Sequence, residues 1–315
     1  MKIDRQLVDA VYGTSFGAFS YEAFKALNPG QRLIPNWHID AICYHVQQMV
    51  TGEARKRLNL NLPPRSLKSF IVSVALPAWV LGRNPITRII CASYSDELST
   101  KFSRDCRALL ETPFYKRVFP GTKLNPKKAS EGEFETTKRG SRLATSVGGT
   151  LTGRGGEVLI VDDPIKANDA ESEVARKAAI DWFRNTALSR LDDAAKSLVF
   201  IAMQRLHVDD LSGILIEQGW PSLVLPAIAV EAADYTVAED EVYHRPAIAA
   251  ARPRQPGGYR RVEARDRQPG LCRSIPAEPD PSRRQYDQSS VARALRHRTR
   301  AQQLPAGCAE LRSGR

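Results

Sequence analysis

Two pairs of residues in this 315-residue chain could do chemistry together. Lys68-Ser69 follows Leu62-Pro63-Pro64-Arg65-Ser66-Leu67, and Asp162-Asp163 follows Val158-Leu159-Ile160-Val161. A lysine and a hydroxyl residue where a loop enters a helix can hold phosphate oxygens and a divalent cation. The pattern G-x-x-x-x-G-K-[ST] does this, its backbone N–H groups cradling phosphates while Lys reaches the β/γ oxygens. Here Leu62 and Leu67 stand at the two glycine positions, so the loop is a degenerate version. A Lys-Ser pair opening a helix is common and carries little alone. Four apolar, mostly β-branched residues before two acids read as a central strand buried on both faces. An acid at the tip of such a strand, beside a phosphate loop, is placed to grip Mg2+. A strand end closed by a polar turn at Pro164 is the plainer alternative. The combination, with about ninety residues between the pairs, is far less common than either part.

Other side chains join these candidates. Pro64, Arg65, Ser66 and Leu67 would line the phosphates with Lys68 and Ser69, and Ser69 with Asp162 would hold the metal. Arg154 is the single arginine of the Gly-rich loop 148–156, next to the presumed metal strand, and is a candidate for stabilising transition-state charge. Gln204 follows the apolar run Leu198–Ala202 and could sense a γ-phosphate or orient water; capping the strand end is its structural alternative. Trp37 could stack on a nucleotide base or serve as a core aromatic.

These residues need elements to position them. Residues 1–35 read as short helical pieces, with Tyr21, Phe24 and Leu27 at helical spacing. A helix follows Asn36 to about Val50, with Ile39, Ile42, Val46 and Met49 on one face. Leu58–Leu62 reads as a strand, Phe70–Leu81 as a buried helix, Arg88–Ala92 as a strand and Asp96–Leu110 as a helix. Pro113–Phe134 is a polar excursion. Arg142–Ser146 is a further strand, Ala170–Leu191 an amphipathic helix, Leu198–Ala202 a buried strand, and Leu223–Leu225 the last. Alternating strands and helices imply an α/β fold with a mostly parallel, doubly wound sheet of the P-loop NTPase type, its ligands at the carboxyl ends of the strands. Lys68, Asp162 and Gln204 all fall just after such ends.

Composition bounds the rest. Hydrophobic residues make up 42% of the chain, as in soluble globular proteins. No run approaches the ~18 apolar residues of a membrane span. Met1-Lys2-Ile3-Asp4-Arg5 holds no apolar signal core. The five cysteines form no C-x-x-C pair, which argues against a zinc site or disulfide framework and for a reducing cytosol. The net charge of +11 is uneven: residues 246–315 hold 15 Arg and 6 acids, leaving 31 basic and 29 acidic residues in 1–245.

The motifs as a set resemble the ATPase domain of the large terminase subunit of tailed bacteriophages. They are Pro63–Ser69, Pro77-Ala78-Trp79, Ala92-Ser93-Tyr94-Ser95, Ala144-Thr145-Ser146, Leu151–Gly155, Val161-Asp162-Asp163-Pro164, and Gln204-Arg205-Leu206-His207 leading to Asp209–Gly213. The resemblance implies an ATP-hydrolysing motor that drives double-stranded DNA into a procapsid in a bacterial cell. It implies ATP and Mg2+ as cofactors. A small terminase subunit, a portal protein and further copies in a ring would be partners. By the same resemblance Lys68 and Ser69 take phosphate and Mg2+, Arg65 is the loop arginine, Asp162 holds the metal and Gln204 couples hydrolysis to movement. Asp163 stands where that family usually has a catalytic Glu, one methylene longer.

The family continues into a nuclease domain of the RNase H type. From about Pro246 this chain turns instead to Arg, Pro, Ala and Gln, a composition that predicts disorder. Codons allowed for Leu271–Gln288, read one base later, can spell FAAQYQQNPTPPGGNMI, similar to that family's segment between ATPase and nuclease. The expectation is therefore a frame break near 245–250, an N-terminal helical segment at 1–35, an ATPase domain at 36–245, a tail at 246–315 and no nuclease activity. Two alternatives stand beside it: a helicase-like P-loop ATPase, and an inert prophage remnant.

Overall fold

Alternation of apolar strands with helices produces the fold. The computed structural model describes residues 4–52 and 55–247. The frame break near 245–250, the tail from 246 and its expected disorder lie almost wholly outside them. Two helices come first, α1 (Arg5–Thr14), capped by the Asp4 carboxylate, and α2 (Phe16–Leu27), capped by the Ser15 hydroxyl. Then come α3 (Trp37–Thr51), β1 (Arg57–Asn61), a π-helical turn (Phe70–Ala75), α4 (Leu76–Arg83), β2 (Arg88–Ser93), α5 (Asp96–Glu111) and α6 (Pro113–Val118). The second half holds β3 (Leu124–Ala129), β4 (Glu133–Thr136), β5 (Ser141–Ser146), β6 (Val158–Asp162), α7 (Glu173–Trp182) and β7 (Leu198–Met203). It ends with α8 (Leu211–Glu217), β8 (Ser222–Val224), β9 (Ala233–Ala238) and β10 (Glu241–Arg245).

Eight strands form one mixed sheet in the order β3-β4-β5-β2-β6-β7-β1-β8. The six from β5 to β8 are parallel; β3 and β4 add an antiparallel edge. Every residue of β6 is buried, as its unbroken apolar run requires. Helices cover both faces. One core gathers Phe16 and Phe19 of α2, Trp79 of α4, Tyr115 of α6 and strand residues such as Leu60 and Ile160. A second lies on the other face, around Leu159, Ile201, Phe183 and Leu215. The N-terminal helices therefore share a core with the sheet. The Trp79 indole N–H donates to the Tyr12 carbonyl at 3.2 Å, and its ring lies 5.2 Å from that of Phe16.

Register decides the site. Asp162 pairs with Ala202 and Asn61 with Met203, so β6, β7 and β1 end level with one another. β7 lies between the strand that feeds the Lys68 loop and the strand that ends in the two acids.

The structure differs from the sequence-based elements in four places. Phe70–Leu81 is not one α-helix: a π-helical turn precedes α4, and Pro77, which has no N–H, falls at the start of α4. Ala170–Leu191 holds α7 and then π and 3-10 turns, Phe183–Ala187 and Leu188–Arg190. The excursion 113–134 contributes α6 and the antiparallel edge. Leu223–Leu225 is not the last strand, because the hairpin β9–β10 follows; Tyr235 and Val237 carry a period-two pattern too short and too exposed to stand out in sequence. No helix among the described residues is long and apolar enough to cross a membrane.

Candidate active site

β1 delivers the chain to a loop whose conformation demands glycine, yet two other residues adopt it. Arg65 and Leu67 have φ of 61° and 62°. Leu67 is the second glycine position of the phosphate-loop pattern, so the left-handed geometry persists without the residue that adopts it freely. Each such residue costs about 1–2 kcal/mol. The loop is pinned at both ends: the Leu62 N–H donates to the Met203 carbonyl at 3.2 Å, and the Ile71 N–H to the Leu67 carbonyl at 3.0 Å. Between them, no backbone carbonyl among the described residues takes the N–H group of Ser66 or Leu67. The Ser66 hydroxyl is buried without a hydrogen-bond partner among the described residues. Free N–H groups at a helix entrance and an orphaned buried hydroxyl suit an anion.

Lys68 is 5% exposed and its ammonium meets Asp163 Oδ2 at 2.6 Å. The other Asp163 oxygen accepts the Gln204 backbone N–H at 3.2 Å, so this carboxylate bridges the loop after β1 and the end of β7. Asp163 has φ of 46°, and its own backbone ties β7 to the chain after β2: its N–H donates to the Ala202 carbonyl and its carbonyl accepts the Tyr94 N–H.

Asp162 is 1% exposed and held by two hydroxyls: Ser69 Oγ donates to Oδ1 at 3.2 Å and Ser73 Oγ to Oδ2 at 2.9 Å. Burial pushes its carboxyl up to about 7, and the Asp163 charge adds to this; Lys68 and the two serines pull the other way. A divalent cation would favour the ionised form. Ser69 and Asp162 supply hard oxygen donors suited to Mg2+. Among the described residues no three His, Cys, Asp or Glu cluster as metal ligands.

Beyond Gln204 the chain forms a rigid clip around buried Asp210. This carboxylate accepts the N–H groups of Leu206, His207 and Gly213 and pairs with Arg205 at 3.2 Å. A Cβ on Gly213 would collide with the Val208 carbonyl. Ser212 bonds Asn59 and Asn61 of β1 inside the protein, so the clip is tied to the strand that leads into the Lys68 loop.

The remaining candidates separate. Arg65 and Pro64 are exposed at the loop apex, and the Arg65 side chain makes no hydrogen bond or ion pair among the described residues. Arg154 meets Glu133 of β4, on the antiparallel edge of the sheet, at 2.6 Å. Trp37 stacks on Tyr243 with centroids 4.5 Å apart and rings within 9°, and on Tyr235 at 5.1 Å, so the final hairpin covers ring faces that a base would use. His38, beside it, touches the Ser66 backbone; burial pulls its pKa below the ordinary value. Cys43, Cys91 and Cys106 are buried free thiols pushed upward by burial, which makes them poor nucleophiles.

Comparison with known families and with curated proteins returned no match. Among solved structures, the crystal structure of the HK97 bacteriophage large terminase is similar to this chain at 14% identity and a TM-score of 0.41. The match covers 69% of this chain and 44% of that one, so it spans less than half of that protein's length.

Sequence reasoning missed Ser73, and it placed Asp210 within the motif Asp209–Gly213 without giving it a role. Ser73 lies four residues after Ser69 in an otherwise apolar run, a spacing that puts both hydroxyls on one helical face and could have singled it out. Asp210, one residue before α8 and three before Gly213, carried an N-cap signal.

Proposed function

We propose that this chain is an ATP-hydrolysing motor of the large-terminase type, acting on double-stranded DNA. The observation that carries the nucleotide part is the convergence of Lys68, Ser69, Asp162 and Asp163 at the level ends of β1 and β6, with a glycine-like backbone at Leu67. The DNA-packaging part rests on the motifs from Pro63 to Gly213, and with it come the small terminase subunit, the portal and a ring of copies as partners.

The loop N–H groups and Lys68 bind the β- and γ-phosphates. Ser69 and Asp162 would hold Mg2+, which when bound would supply charge neutralisation at the phosphates. Triphosphate draws Lys68 away from Asp163, freeing one carboxylate oxygen while the Gln204 N–H keeps the other in place. Asp163 then orients the attacking water and takes its proton as the oxygen bonds to γ-phosphorus and ADP leaves. Arg65 lies on the loop, free to meet charge that develops on the transferred group. The clip from Gln204 to Ser212 passes movement at the γ-phosphate to the core of β1.

A thermal-shift titration with Mg-ATP tests this, followed by steady-state hydrolysis with and without duplex DNA. Wild type is stabilised, by about 2.7 kcal/mol at a hundred times Kd, and duplex DNA raises its turnover. Absence of a shift, or an equal shift in Lys68→Ala, would overturn the nucleotide assignment. Turnover indifferent to DNA would remove the motor.

A further inference from the structure

Arg142, on β5, is among the largest fully buried side chains of the molecule, at 0% exposure. It has no carboxylate within ion-pair distance among the described residues, and its Nε and Nη1 have no hydrogen-bond partner there. A guanidinium does not escape burial by losing its proton. Its one polar contact is a hydrogen bond from Nη2 to the Ser73 carbonyl at 3.1 Å.

That carbonyl is a special acceptor. At the four-residue spacing resumed in α4 it would take the N–H of residue 77, and at the five-residue spacing of the turn the Val72 carbonyl would; residue 77 is proline and serves neither. The backbone there is wide: the Leu76 N–H bonds the Ile71 carbonyl, five residues back. A single π turn inside a helix is a recurrent feature of functional sites. Ser73 is buried, so a carbonyl left without a donor would be costly. The same residue's hydroxyl holds Asp162 Oδ2 at 2.9 Å. Arg142, Ser73 and Asp162 thus form a relay from β5, through the turn after the phosphate loop, to the acid at the tip of β6. Cys91 of β2, whose thiol burial raises, also feels both ends, the guanidinium lowering it and the Asp162 carboxylate raising it.

We infer that Arg142 is a positioning residue for the cation site: it anchors the Ser73 carbonyl that Pro77 leaves without a donor, and so aims the Ser73 hydroxyl that orients Asp162. This rests on Ser69 and Asp162 being the cation ligands. Its effect is on metal affinity, with no contact to nucleotide.

The test is Mn2+ binding to the full chain with ADP present, followed by electron paramagnetic resonance, beside a thermal midpoint for each variant. Ser73→Ala and Arg142→Met each weaken Mn2+ binding about tenfold, the scale of losing a partner behind a metal ligand. The double variant is no weaker than the worse single one, because both act through one hydroxyl. Arg142→Lys, which keeps the charge and a donor, recovers part of the loss. Pro77→Ala restores an N–H for the Ser73 carbonyl and rescues Arg142→Met, a result that plain destabilisation does not produce. If Arg142→Met does not fold, Arg142→Lys with and without Pro77→Ala decides the matter. Wild-type Mn2+ affinity in a folded Arg142 variant, losses that multiply in the double variant, or no rescue by Pro77→Ala would overturn the inference alone. A wild type that binds no Mn2+ would overturn the cation site itself.

Discussion

Two ion pairs of the same length sit in different regions of this molecule. Lys68–Asp163, at the end of the parallel strands, and Arg154–Glu133, on the antiparallel edge, each measure 2.6 Å. The side chains of the first are 6% and 19% exposed; those of the second are 50% and 28% exposed. Water screens the second pair and competes for its partners, whereas the first works in a low dielectric with a second, buried acid beside it. Length therefore does not rank the two. Burial does, and it makes the Lys68–Asp163 pair the one that would respond more strongly to a change of charge beside it.

The sharpest way to break this contrast is Lys68→Ala. It leaves two neighbouring carboxylates without their cation, so urea melts should show a loss on the order of 3 kcal/mol. It should also abolish the Mg-ATP thermal shift and cut turnover ~10³-fold or more. Arg154→Ala should cost less than about 1 kcal/mol. Similar losses from both would mean that burial is not what separates the regions.

The next test compares arginines. Arg65→Ala should lower steady-state turnover more than Arg154→Ala, because only Arg65 sits unpaired on the phosphate loop. A larger effect at Arg154 would bring the Gly-rich loop into the site during turnover, with Glu133 releasing its partner.

A smaller effect concerns backbone strain. Leu67→Gly removes the left-handed cost of about 1–2 kcal/mol and loses the partial packing of Leu67 on the core, so its unfolding free energy should stay near wild type. Leu67→Ala loses the packing and keeps the strain, and should be the less stable of the two. The opposite order would mean that packing alone governs this loop.

The smallest effect is a pH dependence. Burial lowers the pKa of His38 below its ordinary 6.5, so the folded state disfavours the charged ring. The stability linked to this group is complete above 6.5 and is lost as the pH falls below it. His45 shifts in the same direction, through burial and Arg55. Urea midpoints between about pH 5 and 8 should therefore show a shallower acid decline in His38→Gln than in wild type. An unchanged decline would assign it to His45 and the carboxylates.

What the sequence alone determined is local. The apolar run before Asp162 could be satisfied only by a strand buried on both faces. Alternating strands and helices made the sheet mostly parallel, and the carboxyl-end rule then gathered Lys68, Asp162 and Gln204 at one edge. Tertiary structure decided what each polar group meets there. Level strand ends gave Lys68 to Asp163 and Ser69 to Asp162. Pro77 stands in the sequence, but only packing shows that the carbonyl it strands is met by Arg142 from a strand some seventy residues later. Likewise Trp37 was visible as an aromatic at a helix start, while the hairpin that stacks Tyr243 on it arrives from the other end of the described chain. Periodicity reports which face of an element is buried, because burial follows the pitch of each element. It carries no record of which distant partner fills a hydrogen bond, since that depends on where the whole chain brings its segments together.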